Sequence, residues 1–140
     1  MTKPSKELLE SLKKHEGFRA EAYVDTTGHL TIGYGQVVGE LKVTEKEAEK
    51  WLLDGIAAKT KELETFLAFR NIDSQVRKDV LIEMAYNLGV GGLMKFRNMW
   101  ASIKAGDYEA ASVHMLDSRW ASQVKSRAHT LANRMKTGEY

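Results

Sequence analysis

Between Arg19 and Val38 the chain abandons the helical period that precedes and follows it, which limits it to a mainly helical fold with one small β insertion near its start. Ahead of the switch, Leu8, Leu9 and Leu12 form a helical stripe, with Ser5 placed to cap it and Gly17 to stop it. Counting on by fours from Leu8 and Leu12 reaches Glu16, so a carboxylate is expected on the buried stripe, at the last turn. Within the switch, Tyr23, Val24, Leu30, Thr31, Ile32 and Tyr34 are strand formers interrupted by Asp25-Thr26-Thr27-Gly28. A turn near Thr27 and Gly28 would set Asp25 roughly across from Leu30 and Thr31.

Thr44-Glu45-Lys46-Glu47 is a capping-box pattern and opens a long helix. Its expected core stripe is Ala48, Leu52, Ile56, Leu63 and Leu67, flanked by Trp51 and Phe66. Gly55 weakens that helix; read as ordinary helical backbone, it would accept alanine with a gain of up to ~1 kcal/mol. Asp73 is placed to cap a helix carrying Val76, Val80, Leu81, Met84 and Leu88, ended by Gly89. Shorter helices follow, broken at Gly106-Asp107, with a last helix from Lys125 to Lys136.

Composition excludes several classes. A net charge of +2 is too small to argue for a nucleic-acid partner, although Lys125, Arg127, Arg134 and Lys136 make the last helix basic. Without cysteine there is no disulfide framework. No window approaches the ~18 apolar residues of a membrane span. The charged start from Met1 through Lys14 lacks a signal peptide's apolar stretch, so a cytosolic start is expected. His15, His29, His114 and His129 are scattered without ligand spacing, so neither a metal nor another cofactor is expected.

Glu16, Asp25 and Thr31 are the informative set for chemistry. Hydrolysing a glycosidic bond needs one protonated carboxyl to donate to the leaving oxygen and one ionised carboxyl to activate water or attack. A helix-end Glu16 would be partly desolvated and raised in pKa, whereas Asp25 at a wet hairpin would stay ionised. Thr31 would hold a water against Asp25. Spacing alone leaves a plainer reading open, in which Asp25 is a turn former and Thr31 a strand residue.

The pieces His15-Glu16-Gly17-Phe18-Arg19, Tyr23-Val24-Asp25 and Thr31-Ile32-Gly33-Tyr34-Gly35 together resemble the active-site signature of the phage lysozymes of glycoside hydrolase family 24. In that signature a Glu-Gly pair precedes Asp by nine residues and Thr follows six later, intervals that Glu16, Asp25 and Thr31 keep. Val76-Arg77-Lys78, Met84-Ala85-Tyr86-Asn87-Leu88-Gly89, Ser118-Arg119-Trp120, Arg127-Ala128 and Lys136-Thr137-Gly138 extend the likeness along nearly the whole chain. It implies an α+β, mostly helical, two-lobed fold in a single domain over 1–140. The small β-hairpin lobe would take about 17–43 and the connecting helix about 45–68. The helical lobe would take about 1–16 with 69–140.

The resemblance further implies an endo-muramidase that cuts the β-1,4 bond between N-acetylmuramic acid and N-acetylglucosamine in peptidoglycan, usually with inversion. Glu16 is then the acid, Asp25 the base and Thr31 the water's orienter. Tyr86, Asn87 and Arg127 match substrate-binding positions, and Arg127 near the acid would lower the pKa of Glu16, opposing desolvation. Tyr86 could equally be core packing, Arg127 a solvated residue, and Trp51 and Trp100 either core or sugar platforms; Trp120 is expected in the core. The implied setting is a monomer in the host cytoplasm, released by a separate holin to periplasmic peptidoglycan. A catalytically silent peptidoglycan-binding homologue and a virion-associated lysozyme are the alternatives. Two departures stand out: Gln36 replaces the family's frequent His, and Gln36 to Val43 is short.

Overall fold

The computed structural model describes residues 5–40 and 42–140. Met1 to Pro4, where the expected charged start begins, and Leu41 of the expected small lobe lie outside them. The chain is mostly helical with one three-stranded antiparallel sheet, the α+β class expected. It divides into two compact units, Met1–Glu45 and Lys46–Tyr140.

The first unit opens with α1 (Lys6–Glu16), capped as expected: Ser5 Oγ accepts from Leu8 N at 3.1 Å, and Gly17 ends it at φ 71°. β1 (Arg19–Val24), β2 (Leu30–Gly33) and β3 (Gln36–Val37) follow in spatial order, with a 3-10 turn at Val38–Glu40. The third strand enlarges the expected hairpin. Register places Tyr23 opposite Thr31 and Val24 opposite Leu30, with an irregularity between Arg19 and Tyr23. Asp25 therefore lies one pair further along than expected, its N–H donating to His29 O at 2.8 Å.

α1 falls in the same compact unit as the sheet. Only two residues separate α1 from β1, and Glu16 packs on the Gly35 backbone. The stripe of Leu8, Leu9 and Leu12 stays about half exposed, and nothing in α1 is buried. Glu16 is itself exposed, so its expected place on a buried stripe is not found within this unit.

The second unit holds the hydrophobic core. α2 (Glu45–Leu63) starts directly after Thr44, where the capping pattern puts it, but stops five residues short of the expected 68. Phe66 N bonds Leu63 O at 3.0 Å, one residue nearer than a helical partner, while Thr65 Oγ1 donates to Glu62 O at 2.7 Å. A short α3 (Leu67–Arg70) follows. Of the expected α2 stripe Leu63 is buried, whereas Leu52, Ile56 and Leu67 are exposed, as is the flanking Trp51. α4 (Gln75–Leu88) is capped by Ser74, whose Oγ accepts from Arg77 N at 3.3 Å, and not by Asp73. Its Val80, Leu81 and Met84 are buried as expected.

α5 (Val90–Met94), α6 (Arg97–Lys104), α7 (Tyr108–Leu116), α8 (Arg119–Val124) and α9 (Ser126–Thr137) complete the unit. They enclose Leu93, Met99, Met115, Leu131 and Met135 with α4. Trp100 and Trp120 are core residues, resolving the first toward packing; Trp51 is exposed. Arg77 ties three helices together: Nε donates to Met135 O at 2.8 Å, Nη2 to Lys136 O at 3.0 Å, and the guanidinium lies 3.9 Å from the Tyr108 ring centroid. No described helix is long and apolar enough to cross a membrane.

Candidate active site

In the first unit the fold brings Glu16, Asp25 and Thr31 onto α1 and the sheet it leads into. Glu16 is the last residue of α1, and its carboxyl sits against the turn after β2. A Cβ built on Gly35 would come within 2.8 Å of Glu16 Oε2, and the residue's φ of +80° favours glycine on its own account. The glycine run after Thr31 thus leaves room for the glutamate. Beside it, Phe18 and Tyr34 pack with ring centroids 5.5 Å apart.

Asp25 stands at the mouth of the β1–β2 turn. Its Oδ1 accepts from Thr27 N at 2.9 Å, Thr27 Oγ1 at 2.7 Å and His29 N at 2.8 Å. These donors favour the charged form and hold the carboxyl below its ordinary 3.8; the His29 backbone N–H is the largest cause and the Thr27 hydroxyl the next. All the bonds fall on one oxygen. Oδ2 has no protein donor among the described residues and remains an acceptor for something else.

Thr31 is buried, with 2% of its surface exposed, and its hydroxyl donates to His29 O at 2.9 Å. The hydroxyl proton is therefore spent inside the protein, and toward a water Thr31 can only accept. Because Thr31 faces Tyr23 and strand side chains alternate, Tyr23, Asp25, His29 and Thr31 share one face of the sheet. The expected pairing of Asp25 with Thr31 becomes a diagonal neighbourhood. Gln36, in place of the frequent His, closes its own turn through Oε1, which accepts from Tyr34 N at 2.7 Å.

Of the other three candidates, Tyr86 and Arg127 line one pocket of about 500 Å³ in the second unit, with Leu52, Ile56, Asp79, Glu83 and Tyr140. Arg127 Nε donates to Glu83 Oε2 at 2.9 Å. Tyr86 is half-exposed and no core residue. Asn87 turns elsewhere: its Oδ1 accepts from Trp120 Nε1 at 2.8 Å, supplying the buried indole with its partner. Asp79 and Glu83 are pocket residues that sequence reasoning missed. The available signal was the spacing of Asp79, Glu83 and Tyr86 by four and three, a polar face of α4 opposite its core stripe. A larger cavity, about 660 Å³ between α3 and α6, is lined by Trp100 but by none of Tyr86, Asn87 and Arg127. Among the described residues no cluster of His, Cys, Asp or Glu could hold a metal.

The chain combines a mainly helical α+β fold with an anchored carboxylate at the turn of its small sheet and a second carboxyl at the end of the helix that leads into that sheet. The chain belongs to the phage lysozyme family, whose model matches residues 13–137. It is 29% identical to the pre-baseplate central spike protein Gp5 of Enterobacteria phage T4, over 96% of this chain and 28% of that protein. It is 24% identical to probable T4-type lysozyme 1 of Dictyostelium discoideum, over 94% of both. With the endolysin of Bacillus phage B103 it shares 32% identity, over 75% of this chain and 41% of that one. The chain thus spans nearly all of the Dictyostelium protein but less than half of the two phage proteins.

Proposed function

We propose that the chain is a bacteriolytic endo-muramidase, hydrolysing the β-1,4 bond between N-acetylmuramic acid and N-acetylglucosamine in peptidoglycan by a single displacement. The observation that carries the reading is the one-sided anchoring of Asp25: three donors hold Oδ1, while Oδ2 is left as an acceptor on the same face as Thr31. A water giving one hydrogen to Asp25 Oδ2 and the other to Thr31 Oγ1 turns a lone pair outward, toward an anomeric carbon.

In the reaction Glu16 gives its proton to the glycosidic oxygen as the bond to the anomeric carbon breaks. The water attacks that carbon from the opposite face, and its proton passes to Asp25. Exchange with solvent then returns Glu16 to the acid and Asp25 to the carboxylate. Attack opposite the leaving group inverts the β-linkage to an α product. Tyr86 and Arg127 are the substrate-binding residues this reading retains from one pocket, with Asn87 acting through the helix it steadies. The protein would work as a monomer without cofactor, held in the host cytoplasm until a separate holin admits it to periplasmic peptidoglycan.

Lysis of chloroform-treated Gram-negative cells tests the assignment. Glu16→Gln and Asp25→Asn should each lose about 100-fold or more while staying folded, since acid–base catalysis is worth at least that. A Glu16→Gln protein that lyses at more than about a tenth of the wild-type rate removes Glu16 as the acid. Proton NMR of the first product should show the α-anomer; a β-anomer means retention. Similarity to a spike protein favours a second reading, a virion-borne lysozyme, which immunoblotting of purified particles decides.

A further inference from the structure

The β1–β2 turn contains a chain of side-chain hydrogen bonds that the displacement just described does not use. Thr27 Oγ1 lies 2.7 Å from Asp25 Oδ1 and 2.6 Å from His29 Nδ1. An ionised carboxylate offers no hydrogen, so Thr27 donates to Asp25. A hydroxyl has one hydrogen to give. The contact with His29 is therefore made by a hydrogen on Nδ1, directed at a lone pair of Thr27. The order is His29 Nδ1–H to Thr27 Oγ1–H to Asp25 Oδ1.

His29 also reaches both other partners through its backbone. Its N–H donates to Asp25 Oδ1 at 2.8 Å, and its carbonyl accepts from Thr31 Oγ1 at 2.9 Å. One residue thereby aligns the carboxylate, the hydroxyl that shares its face, and the threonine between them. We propose that Thr27 and His29 are positioning residues for the hydrolysis, with the His29 ring holding the Thr27 hydroxyl so that Asp25 presents Oδ2 to the water. The proposal rests on the reading of Asp25 as the base. It also fixes the imidazole form that works: with hydrogen on Nε2 alone, Nδ1 becomes an acceptor and draws the Thr27 hydrogen away from Asp25.

A purely structural turn makes a different demand. The backbone donors Thr27 N and His29 N shape the turn around Asp25 whatever side chains stand at 27 and 29. The test therefore removes the side-chain links and keeps the backbone ones. Thr27→Val deletes the hydroxyl at constant shape, Thr27→Ser restores it, His29→Leu deletes the ring donor, and His29→Asn returns an N–H near the same place. Two readouts are taken on each full-length variant: kcat and KM on solubilised peptidoglycan, and the Asp25 carboxyl titration followed by carbon NMR.

Thr27→Val should lower kcat by about tenfold to a hundredfold, the scale of lost alignment, with KM little changed. The Asp25 titration should move upward, because a donor to its charged form is gone. Thr27→Ser and His29→Asn should stay close to wild type on both readouts, and His29→Leu should follow Thr27→Val in kcat. Wild-type kcat and titration in Thr27→Val overturn the proposal, as does Thr27→Ser falling as far as Thr27→Val, which would assign the role to the methyl group. Asp25→Asn, measured alongside, separates the failures. If it is inactive while Thr27→Val behaves as wild type, the positioning chain alone is wrong; if it retains full activity, the base assignment fails and the positioning role with it.

Discussion

Lys125 has φ 53° and ψ −114°, a left-handed conformation that side chains other than glycine rarely adopt. It joins α8 to α9, where its N–H donates to Ala121 O at 2.9 Å and its carbonyl accepts from Ala128 N at 3.0 Å. It is the single residue between the two helices, and the junction holds this geometry at the position. Such a conformation costs about 1–3 kcal/mol in a residue with a Cβ. Lys125→Gly should therefore stabilise the protein by about 1 kcal/mol, after glycine's own entropy loss is subtracted. Thermal unfolding should show a midpoint raised by roughly 2–4 °C; a lowered midpoint would mean that the lysine stem contributes packing. The last helix was legible from its basic and apolar pattern, but nothing in the residue type lysine announced a glycine-like backbone.

At the scale of elements, α2 comes close to α4 at Gly55. A Cβ on Gly55 would stand 2.9 Å from Tyr86 Cε2, which corrects its reading as freely replaceable helical backbone. The neighbour is the edge of a half-exposed ring rather than another main chain, so the ring can give way, at the expense of the pocket it lines. Gly55→Ala should thus change stability by less than ~0.5 kcal/mol, its helix gain offset by displacement of Tyr86, and should weaken substrate binding. In a Tyr86→Ala background the same substitution should recover its full gain of up to ~1 kcal/mol. Equal effects in both backgrounds, measured by urea unfolding, would show that the two residues do not touch. Helix ends follow a related logic: Asp73 and Ser74 are both competent caps, and only the path of the chain into α4 selects Ser74.

Across the whole molecule burial is uneven. Among the described residues, every buried apolar side chain lies between Leu63 and Met135, and Thr31 is the buried residue of Met1–Glu45. The sheet that displays Asp25 is accordingly held by backbone pairing and the bonds of its turn, with little apolar burial beneath it. Such a unit opens at a lower free energy than the core. Hydrogen exchange read by mass spectrometry should find the amides of β1, β2 and β3 exchanging well before those of α4 and α9. Equal protection in both units would refute this division of stability.

The sequence by itself determined the order of elements and their class, because period, caps and turn residues act over a few neighbours, while the trio Glu16, Asp25 and Thr31 stood out through its resemblance to a family signature. Ser5, Gly17 and Gly89 ended helices where their chemistry required, and Asp25-Thr26-Thr27-Gly28 turned the chain where it was expected to turn. Tertiary structure decided what depends on distant partners: the grouping of α1 with the sheet, the early end of α2, the contact of Gly55 with Tyr86, the bond from Trp120 to Asn87 and the pairing of Arg127 with Glu83. Burial and ion pairing are set by which faces meet, and a local pattern specifies a face without specifying its neighbour. For that reason Glu16 was recognisable as the candidate acid while its expected burial was not realised.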